Sequence, residues 1–202
     1  MKTDIYTLAH EVKNPLSVVK GYLEMMNKEN FERYKRIINE EIDSSLEILN
    51  NYLEFNKISI NKEEMDLNIL LMDIKNNMKE YLENKGVKLQ IITMDDDIYL
   101  EADYQKLRQV FYNIIKNSVE AHAKKIVISY KIIYGKVIIT IMNDGDKIRD
   151  INKVGNNYTT KILGNGIGTT LSKKIINMHD GKIKYLNNED KGVSTIITLN
   201  LS

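Results

Sequence analysis

TDIYTLAHEVKNPLSVVKGYLEMMN, residues 3–27, decides the first half of the fold. Ile5, Leu8, Val12, Val19 and Met26 fall near the a and d spacing of a helical heptad, and Leu16, Tyr22 and Leu23 widen the stripe. Lys28-Glu29-Asn30 breaks the pattern. A second run follows, in which Tyr34, Ile38, Ile42, Leu46, Leu49 and Leu53 recur every three or four residues. Two helices of about 25 residues joined by a short loop predict an antiparallel hairpin. One hairpin buries only part of two such stripes. A second copy completes the burial as a dimeric four-helix bundle, the alternative being packing on the rest of the same chain.

After Lys57-Ile58-Ser59-Ile60-Asn61-Lys62 the texture changes to mixed α/β. Asp66 to Asn84 reads as a helix ending before Gly86, and Val87 to Met94 alternates as a strand. Asp95-Asp96-Asp97 reads as a solvated turn. Asp103 can cap a helix running to about Ala121. Lys125–Ile133 and Lys136–Met142 predict a hairpin around Tyr134-Gly135. A glycine-rich stretch precedes a helix from Gly168 to Met178, and strands Lys182–Leu186 and Val193–Leu199 close the chain. Helices over one face of a largely antiparallel sheet make this half an α/β sandwich and the whole chain α+β. The domains are expected at residues 1–57 and 58–202.

Composition narrows the function classes. Of 202 residues, 29 are Lys or Arg and 28 Asp or Glu, a net charge of +1, which argues against a basic footprint on nucleic acid or anionic lipid. With no cysteine, disulfides, thiolate chemistry and Cys-based zinc sites are excluded, and a reducing, cytoplasmic setting is permitted. No apolar run approaches the ~18 residues of a membrane span, and Met1-Lys2-Thr3-Asp4 opens no signal peptide, so a soluble chain is expected. Pro15 is the single proline, and it sits inside the first helical pattern. It leaves the Glu11 carbonyl without its helical partner and bends the helix there.

Three segments carry candidate chemistry. In His10-Glu11-Val12-Lys13-Asn14-Pro15-Leu16, His10 lies off the buried stripe, where a neutral imidazole can act as a nucleophile. Glu11 can take its proton, and Asn14, one turn along, can hold a water or phosphoryl oxygen. A surface histidine beside a tolerated kink is the alternative. Asn113 and Asn117 stand one turn apart on the outer face of the Asp103 helix, offering neutral oxygens suited to Mg²⁺; a solvated face explains the same spacing. Tyr158-Thr159-Thr160-Lys161 leads through Gly164, Gly166 and Gly168 into a helix N-terminus, as a phosphate cradle would, or as a mobile loop would. It is neither a P-loop nor a dinucleotide fingerprint.

Taken in order, these segments resemble the sensor histidine kinases of bacterial two-component systems. His10–Leu16 resembles the phosphoacceptor box, Asn113–Asn117 the N box, Asn143-Asp144-Gly145 the first glycine box, Tyr158–Lys161 the short box before the lid's end, and Gly164–Gly168 the second glycine box. The resemblance spans almost the whole chain. It implies a dimerising phosphotransfer hairpin joined to a Bergerat-type ATP-binding sandwich. It further implies that His10 takes the γ-phosphoryl of ATP and passes it to an aspartate on a response-regulator receiver domain. Glu11 and Asn14 match the family's Glu-x-x-Asn/Thr pattern, whose amide assists dephosphorylation of that partner. By the same resemblance Asn117 and Asn113 bind Mg²⁺, Thr159, Thr160, Lys161 and the glycines hold nucleotide, and Ser194 sits near the adenine.

The sequence departs from the family at a few positions. Asn143 stands where an aspartate usually accepts a hydrogen bond from the adenine amino group; a neutral acceptor there loses roughly 1 kcal/mol, about fivefold in affinity. Lys147 replaces the usual second glycine, although its ammonium can attract phosphate. Asp180 stands where a glycine often follows His179. His179 and His122 read as structural. Nine residues precede His10, where the family extends the helix towards a sensor or relay segment, as in a trimmed chain of a longer kinase or a short kinase fed by a separate sensor. The departures leave two other readings: a phosphorelay or scaffold protein with a degraded nucleotide site, and another ATPase of the same superfamily.

Overall fold

The computed structural model describes residues 5–92, 97–151, 154 and 167–202. It divides into one compact unit through Ile58 and another holding Ser59 to Asn156 and Thr169 to Ser202.

In the first unit, α1 (Ile5–Met25) and α2 (Phe31–Lys57) form the expected antiparallel pair. The loop between them is closed by two asparagines. Asn27 Oδ1 accepts from the N–H groups of Glu29 and Asn30, and Asn30 Oδ1 accepts from that of Asn27. Tyr22 and Tyr34 meet edge to face at 4.8 Å just inside this turn. Farther along, Pro15, Ile38, Ser45 and Ile48 are buried, and α1 continues through Pro15 as one helix. Leu16, Leu23, Ile42, Leu46, Leu49 and Leu53 all remain exposed. The hairpin therefore satisfies one side of its apolar stripes and leaves the other bare.

The second unit begins with β1 (Glu63–Asp66), α3 (Leu67–Asn77), α4 (Lys79–Asn84), β2 (Lys88–Ile92) and β3 (Tyr99–Ala102). It continues with α5 (Tyr104–Glu120), β4 (Lys125–Ile133), β5 (Lys136–Asn143), α6 (Ile167–Met178), β6 (Lys182–Asn187) and β7 (Val193–Asn200). The main sheet runs β2-β4-β5-β7-β6; β2 pairs parallel with β4, and the other ladders are antiparallel. Buried residues alternate along β4, β5 and β7, as a sheet covered on one face requires. Ile126, Ile128, Ile139 and Ile197 from the sheet, Leu70 and Ile74 from α3, Leu107, Phe111 and Ile115 from α5, and Ile175 from α6 are all buried.

Two local expectations need correction. The helix read from Asp66 to Asn84 is two helices, divided at Met78, whose buried side chain follows two asparagines of low helix propensity. The small antiparallel sheet of β1 and β3 was not foreseen, since Glu63-Glu64-Met65-Asp66 offers one apolar residue in four. Asp66 and Asp103 cap α3 and α5, accepting from the N–H groups of Asn68 and Lys106 at 2.7 and 3.0 Å. At the β4–β5 turn Tyr134 and Gly135 both have positive φ, 49° and 72°, the backbone of a tight two-residue hairpin.

Candidate active site

On α1, His10 and Asn14 are exposed, one turn apart, while Glu11 is half-buried. Glu11 Oε2 has no hydrogen-bond partner among the described residues, and burial pushes its carboxyl from 4.5 up to about 7. A base that titrates there is half ionised near neutral pH, where proton acceptance works best. A groove of about 420 Å³ on the hairpin is lined by Leu8, Val12, Lys13, Leu16 and Lys20 of α1 and Leu49 of α2.

In the second unit, the centre is Asn143, at the end of β5 and 8% exposed. Its Oδ1 accepts from the N–H groups of Gly145 and Val193 at 3.0 and 3.3 Å, and its Nδ2 donates to Ser118 Oγ at 3.1 Å. The Ser118 hydroxyl spends its one hydrogen on the Ile114 carbonyl, 2.9 Å away, so it must accept from position 143. The amide fits this chain of bonds, with both lone pairs of its oxygen engaged by backbone. The oxygen expected to receive adenine is thus committed to the turn.

That turn is fastened from every side. Asp144 Oδ1 accepts from the N–H groups of Lys124 and Lys125, both at 2.8 Å, which holds its carboxyl below the ordinary 3.8. A Cβ on Gly145 would lie 2.3 Å from the Ala121 carbonyl oxygen, so glycine alone fits. Lys147 Nζ donates to the Glu189 carbonyl at 2.6 Å, and Asn187 makes two bonds to the backbone of Ile148, each 2.9 Å. The Lys147 ammonium expected to attract phosphate is instead tied to a loop.

On α5, Asn113 donates from Nδ2 to Ser172 Oγ of α6 at 2.8 Å, so Oδ1 is its atom left for coordination, and Asn117 follows one turn later. Gly168 is the second residue of α6. Thr159, Thr160, Lys161, Gly164 and Gly166 lie outside the described residues. Ser194 is on the opposite sheet face from Asn143. It pairs with Met142 in the ladder, and its hydroxyl donates to Asn188 Oδ1 at 2.7 Å. The neighbouring Thr195 is buried on Asn143's face, a placement legible only once the β5–β7 register is known.

His179 and His122 have the structural surroundings expected of them. The Asp103 N–H donates to His179 Nε2 at 2.9 Å, and His179 Nδ1 donates to the Ile175 carbonyl at 2.8 Å, which fixes a neutral tautomer. His122 ends the turn after α5 with φ 61° and meets Asp146 at 2.8 Å. Asp180 has φ 56°, the backbone that favours glycine there, and its carboxylate holds Lys62 at 2.7 Å. Burial, and next the Lys62 charge against the opposing Ile175 bond, keeps His179 below 6.5. A base depressed in the folded state stabilises fully above its unfolded value and loses that contribution as pH falls through the folded one. Wild-type stability is therefore expected to drop as pH falls below 6.5. The fall should be shallower in His179→Gln, compared by urea midpoints across pH.

An α/β sandwich with this clamped turn follows a hairpin that presents a solvent-facing histidine. Residues 102–202 match the family described as histidine kinase-, DNA gyrase B- and HSP90-like ATPase, and residues 5–60 match the His Kinase A phospho-acceptor domain. The chain belongs to the histidine kinase-, DNA gyrase B- and HSP90-like ATPase family and is the catalytic core of a two-component sensor histidine kinase. Sporulation kinase B of Bacillus subtilis (strain 168) is 33% identical over 96% of this chain, and sporulation kinase A of the same organism 30% identical over 93%. This chain spans 48% and 32% of those relatives. Histidine kinase ThkA, solved in complex with response regulator protein TrrA, superposes with TM-score 0.83 at 27% identity, covering 96% of this chain and 60% of ThkA. No helix among the described residues is long and apolar enough to cross a membrane.

Proposed function

We propose that the chain is an ATP-dependent protein-histidine kinase that phosphorylates His10 and passes the group to a response-regulator aspartate. Residues 1–57 serve as the dimerisation and phosphotransfer hairpin and residues 58–202 as the ATP-binding catalytic domain. The observation that carries this reading is the solvent-facing His10 beside a carboxylate titrating near 7. The unprotonated imidazole nitrogen attacks the γ-phosphorus, the bond to the bridging oxygen breaks, ADP leaves, and Glu11 takes the proton from the other ring nitrogen. Asn117 and Asn113 hold Mg²⁺ through their amide oxygens, and that ion offsets phosphate charge. Thr195 and Asn143 floor the nucleobase side. Thr159, Thr160, Lys161, Gly164, Gly166 and Gly168 are the residues proposed to bind the phosphates. A second copy covers the bare stripe of Leu16, Leu46 and Leu53, making the bundle.

Incubation with radiolabelled Mg-ATP is expected to place an acid-labile phosphate on the chain. Absence of labelling would instead favour a scaffold or phosphorelay role with a degraded nucleotide site, a reading supported by the committed oxygen of Asn143. Calorimetry with a non-hydrolysable analogue separates these cases, since no binding at millimolar ligand marks a degraded site. The labelling rate should climb as pH rises through about 7, where Glu11 ionises. Glu11→Gln should flatten that rise and slow labelling by about 10²-fold. Asn14→Ala should slow dephosphorylation of the regulator about 10- to 100-fold, the worth of one hydrogen bond to a charged group, while sparing labelling. Equal loss of both activities contradicts a water-positioning role.

A further inference from the structure

Among the described residues of the second unit, the buried strand positions of the main sheet lie on the face packed by α-helices, and strand positions of the other parity form a second face. Lys88, Lys125, Lys131, Lys136, Lys182 and Lys184 all stand on that second face, and all are exposed. No Asp or Glu occupies a strand position there, and none of the six lysines forms an ion pair among the described residues. Six lysines and no acidic residue thus occupy the strand positions of this side, a segregation hidden by the net charge of +1. Lys88 and Lys125 are direct partners across the β2–β4 ladder, a like-charge pairing that destabilises the sheet. Guarding an edge against strand pairing explains Lys88, Lys182 and Lys184 on β2 and β6. It does not explain Lys125, Lys131 and Lys136, which lie on internal strands.

We propose that this open sheet face docks reversibly on an anionic lipid surface. Protein interfaces are enriched in Tyr, Trp and Arg and depleted in Lys. This face is the reverse, with six lysines and neither an aromatic residue nor an arginine at any strand position. Ammonium groups on long stems, spread around the face, suit a diffuse plane of charged headgroups better than one planar partner. Between them Ile92, Met142 and Leu186, exposed at 51%, 44% and 50%, supply apolar contact at headgroup depth. The docking is independent of the kinase reading.

The test sediments the full chain with phosphatidylcholine vesicles and with vesicles that also contain phosphatidylglycerol. Binding is expected only to the anionic vesicles and should weaken steeply with salt. Combining Lys131→Gln, Lys182→Gln and Lys184→Gln should weaken partitioning by roughly 100-fold, taking about fivefold per lysine. The same net change off this face, Lys75→Gln with Lys79→Gln and Lys85→Gln, should leave it near wild type. Urea midpoints establish that both triple variants are folded. No binding to anionic vesicles at low salt overturns the proposal, as does equal weakening by both triples. Salt-sensitive binding to polyglutamate without binding to vesicles also overturns it, making an acidic protein the occupant.

Discussion

His10→Gln is expected to give a chain that binds ATP as wild type does and takes up no phosphoryl group. The imidazole is exposed on α1, so its replacement touches no core contact and should shift stability by no more than about 0.5 kcal/mol. Glutamine matches its length and polarity but has no nucleophilic lone pair, because the amide nitrogen's electrons are delocalised into its carbonyl. Acid-labile label should therefore fall to background. Affinity for a non-hydrolysable analogue, measured by calorimetry, should hold because Asn113, Asn117 and Asn143, proposed for Mg²⁺ and nucleobase, belong to the other unit. Labelling that persists in this variant would move the nucleophile elsewhere and leave the exposed histidine without a role.

Gly192→Ala should be the most damaging single methyl group. Gly192 has φ 82°, and an added Cβ would lie 1.9 Å from the Asn143 carbonyl oxygen and 2.9 Å from the Asp144 Cα. Both obstacles are backbone, in the turn that Asp144 and Gly145 clamp, so neither can swing aside as a flexible side chain would. A left-handed alanine costs about 1–2 kcal/mol and overpacking about 1–3 more, together roughly 2–5 kcal/mol and a fall of about 10 °C in Tm. Nucleotide affinity should fall with it, because Asn143 must give way. Gly135→Ala is the control. Its φ is 72°, but nothing lies within 4 Å of the added atom, so only the conformational cost remains. Thermal melts that place the two variants together would deny the close approach at Gly192.

The contrast between these glycines shows where sequence reading reaches its limit. Periodicity disclosed the hairpin and the five strands of the main sheet, because apolar spacing is a local property that burial then enforces. It missed β1 and β3, whose pairing joins residues far apart in the chain, and the division at Met78, where tertiary burial of one side chain outweighs helical continuity. At the site, His10, Glu11 and Asn14 were legible as types at a spacing, but the raised Glu11 carboxyl depends on what packs over it. Ser194 illustrates a different loss. Its neighbour Thr195 has the same chemistry, and only the β5–β7 register tells which hydroxyl shares a face with Asn143. The charge total likewise concealed the lysine face, because a sum keeps no record of direction.

The amide at position 143 sets how this end of β5 behaves in acid. Its bonds run in a single sense: the N–H groups of Gly145 and Val193 point into the oxygen, the amide points into a hydroxyl, and that hydroxyl points into the helix carbonyl. A carboxylic acid here would gain or lose a proton and could reverse the middle arrow, stranding the Ile114 carbonyl. Asparagine has no proton to trade, so this row of dipoles keeps the same orientation across the range in which carboxylates titrate.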